Sequence, residues 1–104
     1  MLSKSPMISQ METICRNYII ARSIIKTISY PYNCGVNIHE CTDIILKVDK
    51  AFYSLTQSEQ RLINNEFFYE ARPYWWKESY SEEEYVTFLK QTIQRFLEVY
   101  YEIN

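Results

Sequence analysis

One glycine and three prolines in 104 residues leave little material for tight turns. A protein of many short strands spends glycine and proline at every corner, so their scarcity argues for a few long helices. No apolar run is long enough to read as a membrane span, because Arg22 interrupts the strongest candidate, "YIIARSII". The first fifteen residues, "MLSKSPMISQMETIC", hold no continuous apolar signal core. The chain is therefore expected to be soluble and cytoplasmic, with no membrane partner. There is no basic excess either: 11 Lys and Arg stand against 13 Asp and Glu, for a net charge of −2. A general nucleic-acid binder carries a concentrated basic face, and a protein mimic of DNA is far more acidic. Cysteine is sparse and odd in number, three residues, which reads as reduced thiols.

What the chain does have is apolar mass, at 47% hydrophobic and 16% aromatic residues. That composition excludes disorder and low complexity and fits one domain with a single modest core. Charge is unevenly placed: residues 1–30 sum to +3, residues 31–80 to −2 and residues 81–104 to −3.

Periodicity supplies the elements. Ser5 followed by Pro6 is a helix start. Met7, Met11, Ile14, Tyr18, Ala21, Ile25 and Ile28 then recur at spacings of three and four, a core-facing stripe widened by Ile8, Cys15 and Ile19. "SYPYNCGVN", 29–37, reads as a loop, with Pro31 stopping the first helix. Asn37 with Glu40 fits a helix cap, and Ile38, Cys41, Ile45, Val48, Phe52 and Leu55 line the second helix. Thr56 with Glu59 forms a capping box that opens a third helix through about Glu70, with Leu62, Ile63, part of Glu66, Phe67 and Ala71 inward and Pro73 closing it. "YWWKES", 74–79, is a connector whose tryptophans are expected to plug the core. Ser81 with Glu84 caps the last helix, lined by Tyr85, Leu89, Ile93 or Thr92, Phe96 and Tyr100. The fold class is all-α, a four- to five-helix bundle forming one domain. Residues 1–54 make an N-terminal helical pair.

Signatures of catalysis are absent. There is no phosphate-cradling glycine loop, no Gly-x-Ser-x-Gly and no metal-binding carboxylate motif. "CGVNIHEC", 34–41, clusters Cys34, His39 and Cys41, but its spacing matches no common zinc module. Neither metal nor cofactor is expected, and the protein is not expected to be an enzyme.

From Leu55 onward the pattern resembles region 4 of bacterial sigma factors and the small phage-type regulators that share its helix-turn-helix. The likeness rests on "LTQSEQRLINNEFF", 55–68, where a cap and Leu-Thr-x-x-Glu open a helix that ends in an aromatic pair. It rests also on Tyr85, Leu89, Ile93 and Phe96, which stand four, eight, twelve and fifteen residues after Ser81. The resemblance covers residues 55–104 and implies a helix-turn-helix-like C-terminal half. It also implies a small non-catalytic regulator that contacts RNA polymerase or promoter DNA.

The surface of the recognition helix would then comprise Ser81, Glu82, Glu83, Thr87, Lys90, Gln91 and Gln94, with Arg22 and Lys26 as a candidate basic contact on the first helix. Two features depart from the family. "EARPYWWKESY", 70–80, carries Pro73 and no glycine where the family has an alanine and a glycine turn. Glu82, Glu83 and Glu84 occupy the end of the helix that would meet phosphate. Autonomous duplex binding is expected to be weak, and a protein partner or a homodimer is expected to cover the surplus apolar surface. The alternative reading is a helical protein–protein interaction module or inhibitor that has lost DNA binding.

Overall fold

The computed structural model describes residues 5–27, 38–69 and 71–102. They form four α-helices and a π-helical turn, with no strand among the described residues. The expected all-α bundle is what the chain builds.

Helix α1 (Pro6–Thr27) begins where Ser5 accepts the Ile8 amide on its hydroxyl oxygen at 3.2 Å, so one orphan N–H is satisfied and Pro6 needs none. Met11, Ile14, Cys15 and Ala21 are buried. The stripe then runs out of core: Ile25 is 38% exposed. Ile25 lines an open depression with Ile45 and Tyr53 of α2, and among the described residues none from α4 lines it. Ile28, Cys34 and the Asn37 cap lie outside the described residues.

Helix α2 (Ile38–Tyr53) packs on both α1 and α4. Val48 and Ala51 are buried, and Ala51 has no side chain beyond Cβ to hold the neighbouring backbones apart. Ile38, expected inward, is 36% exposed in the first turn of α2. Leu55 turns back into the core as its amide bonds Phe52 at 3.1 Å.

The Thr56 capping box is present: the Glu59 amide donates to Thr56 Oγ1 at 3.2 Å, and the Thr56 amide donates to Glu59 Oε1 at 2.9 Å. It opens α3 (Gln57–Ile63). The helix does not run on to Glu70. It widens into a π-helical turn, Asn64–Phe68, which ends as the Tyr69 amide bonds back to Asn64 at 2.8 Å. Pro73 therefore stops no helix; the widened turn has already ended the run. The looser winding brings Phe68 toward Tyr18 (ring centroids 5.5 Å apart) and Phe52 (6.3 Å).

Residues 73–79 are consecutive turns, with Tyr74 in the left-handed region at φ 61°. Trp75 and Trp76 are half-buried and packed against the core. Trp76 stacks on Tyr85, centroids 4.5 Å apart and planes 7° from parallel. The Ser81 box opens α4 (Glu82–Tyr100). Tyr85, Leu89, Ile93 and Phe96 are all buried, and Thr92 joins them.

Candidate functional site: the outward face of α4

Burial of one stripe fixes what the rest of α4 presents. The Glu84 amide donates to Ser81 Oγ at 3.1 Å and the Ser81 amide to Glu84 Oε1 at 2.9 Å, which pins the first turn. The Ser81 backbone bond, then the Ser81 hydroxyl, hold the Glu84 carboxyl below its ordinary range. Glu82 and Glu83 beside it are exposed. They suit the positive end of the helix dipole, and they occupy the position where a phosphate would meet free amides.

Further along, Thr87, Lys90, Gln91 and Gln94 are exposed on the same helix. Two of them are tied to the helix itself. Thr87 Oγ1 donates to the Glu83 carbonyl at 3.1 Å, and Gln94 Nε2 lies 3.4 Å from Glu98 Oε1. Arg95 is also engaged: its guanidinium sits 3.4 Å from Glu59 Oε2 of α3. Lys90 is the one α4 cation without a partner among the described residues. This face can accept hydrogen bonds and donate from two amides. It cannot neutralise a run of phosphates.

Arg22 and Lys26 do not join it. They line a separate groove of about 500 Å³ between α1, α2 and the π turn, a groove with no α4 residue. Arg22 leans over the Tyr18 ring, 5.6 Å from its centroid, with Nη1 3.3 Å from the hydroxyl oxygen. Tyr18 in turn donates to Asp49 Oδ1 at 2.7 Å. Burial, then the Asp49 bond, push the Tyr18 phenol up. Tyr53 and Tyr69 stand on the rim, 71% and 74% exposed. The cations that could attract an acidic partner thus sit beside exposed aromatics and away from α4. Sequence reading placed Arg22 and Lys26 one turn apart but had no means of pairing Tyr18 with Asp49, which lie 31 residues apart.

A metal finds no cage among the described residues, where no three His, Cys, Asp or Glu side chains converge. His39 is exposed, while Cys15 and Cys41 are buried. Burial pushes the Cys15 thiol up to about 12, which makes it a poor ligand and a poor nucleophile.

One cluster was visible only in part. Trp75 and Trp76 stood out in the sequence, yet their anchor is Glu66, a residue expected to face partly inward. It is exposed, and its carboxylate reaches across to the tryptophan indole and to Tyr85. A tyrosine at an inward position is the signal that could have prompted the search, since a buried phenol needs an acceptor.

No protein-family model, no curated protein and no solved structure matches the chain.

Proposed function

We propose that this chain is a small non-catalytic regulator of transcription, arranged like sigma factor region 4, which docks on RNA polymerase through the outward face of α4. One observation carries the reading. Ser81 caps α4, and the residues four, eight, twelve and fifteen positions later are all buried. That leaves Glu82, Glu83, Thr87, Lys90, Gln91 and Gln94 together on the surface.

A second reading, a helical interaction module or inhibitor acting outside transcription, is favoured by the acidic first turn. With three glutamates at its start and Arg95 held by Glu59, α4 meets a protein more readily than a phosphate backbone. Both readings put a protein on α4; they differ in which one.

Capture of RNA polymerase from the native host by the tagged full-length chain separates them. Polymerase subunits are expected to be enriched with the wild type and lost with Lys90→Glu/Gln94→Glu, a double variant on exposed positions that should fold normally. Polymerase at background level with the wild type would reject the transcription reading. Equal capture by the double variant would reject α4 as the contact.

A further inference from the structure

Trp75 and Trp76 are the only tryptophans in the chain, and both line a pocket of about 420 Å³. It lies between the π turn, the connector and the start of α4, with Tyr74 and Tyr85 as further ring walls. Trp75 meets Tyr85 edge-on, centroids 5.8 Å apart, while Trp76 stacks on it face to face. In the same wall stands Glu66. Its Oε1 accepts the Trp75 indole N–H at 2.8 Å and the Tyr85 hydroxyl. Two aromatic donors therefore fix one carboxylate oxygen, and Glu66 Oε2 takes no hydrogen bond or ion pair among the described residues. Glu82 also lines the pocket, and Arg72 is the one cation among its lining residues.

Ring faces carry negative charge from their quadrupoles, and a fixed carboxylate adds a full negative charge beside them. A cation is favoured by both, an anion is repelled by both, and an uncharged apolar group meets only apolar contact. Trp75 already shows the preference, since the guanidinium of Arg61, which is not a lining residue, rests 5.8 Å from its centroid. Glu82, exposed in the first turn of α4, lines this pocket with Tyr85 and Leu89 of the same helix. A partner seated against the N-terminal end of α4 would reach the pocket directly.

We propose that the pocket formed by Glu66, Glu82, Trp75, Trp76 and Tyr74 receives an arginine side chain of the protein partner that docks on α4. The assignment rests on α4 being the contact face, and on nothing about which protein makes the contact.

Tryptophan fluorescence reports the site directly, because both tryptophans line it. Titration of the full-length chain with N-acetylarginine amide is expected to give a saturable change with Kd on the order of 1 mM, weakened by added salt. N-acetylnorleucine amide, uncharged, should give none. Glu66→Gln keeps an acceptor for Trp75 and Tyr85 and should weaken binding about tenfold, a loss of one charge–charge contact worth about that factor. Glu82→Gln, at an exposed position that leaves the core untouched, should weaken it several-fold and serves should Glu66→Gln misfold.

No saturable change with the arginine probe, an equal response to norleucine amide, or unchanged affinity in a folded Glu66→Gln or in Glu82→Gln would overturn the proposal. Much tighter binding of ethylguanidine, a free diffusible guanidine with the same single charge, would assign the pocket to a small molecule and overturn the partner side chain. Failure of the polymerase capture with arginine binding intact would reject the transcription reading and leave this pocket standing.

Discussion

Arg95 of α4 reaches back to Glu59 of α3, guanidinium nitrogen to carboxylate oxygen at 3.4 Å. Glu59 is only 5% exposed, and its other oxygen accepts the Thr56 amide that closes the capping box. One carboxylate thus caps α3 and holds α4 against it. The same contact partners Arg95, which stays exposed, and leaves Lys90 as the α4 cation without a partner among the described residues.

That contact can be measured. Arg95→Ala strands a nearly buried carboxylate with its cap bond alone, and should lower stability by about 1 kcal/mol in denaturant melts. Arg95→Ala combined with Glu59→Gln should recover part of the loss, because the neutral amide still accepts the Thr56 N–H. A double variant as unstable as the sum of both single losses would show that the two residues are not coupled.

The inward stripe of α4 sets the larger energies. Phe96 is fully buried and Leu89 nearly so, both in the common core with Met11, Val48 and Leu62. Truncation of either to alanine should cost about 2–5 kcal/mol through lost burial and the cavity left behind. Losses below about 1 kcal/mol at both sites would mean the helix is rotated from the position described.

These positions were legible in the sequence because cap and period agree there. Thr56 with Glu59 and Ser81 with Glu84 each mark a start, and the four apolar residues after Ser81 can share a face only if the segment is helical. The π turn was not legible: nothing local distinguishes Asn64–Phe68 from continued α-helix, and the extra winding places Phe68 beside Tyr18 and Phe52, contacts distant in sequence. The stripe of α1 misled at Ile25, since periodicity reports which face a residue is on and not whether a neighbour extends far enough to cover it. For the candidate site, the α4 surface followed from register alone. The Glu66 cluster and the groove beside Arg22 needed tertiary pairing that no spacing encodes.

Thr92 offers a test in the opposite direction. Its hydroxyl is fully buried and has no hydrogen-bond partner among the described residues. Thr92→Val replaces that hydroxyl with a methyl of similar size and removes a desolvation cost, so stability should rise by about 1 kcal/mol. A loss of similar size would show that the hydroxyl is bonded in solution.

Stability should also fall at alkaline pH. Burial favours the neutral thiol of Cys15, raised to about 12, and raises the Tyr85 phenol as well, with Glu66 adding to the effect. Each neutral form is preferred in the folded state. The stabilisation is complete below the ordinary values of about 8.5 for cysteine and 10 for tyrosine, and is lost as pH climbs past them toward the folded values. Native Cys15 should resist thiol reagents at pH 8 to 9 and react once the chain is unfolded. Rapid labelling of Cys15 in the native protein would place it at the surface.

Whether the outward face of α4 reads DNA or meets a protein is decided by duplex binding of the unmodified chain. At physiological salt the wild type should bind a randomised duplex library no tighter than about 10⁻⁴–10⁻⁶ M, with no sequence enriched on selection. Glu82→Ser/Glu83→Arg should tighten binding and steepen its salt dependence, because it removes two anions and adds a cation where phosphate would approach. Sequence-specific binding by the wild type about a thousandfold tighter than that would make α4 a DNA-reading helix.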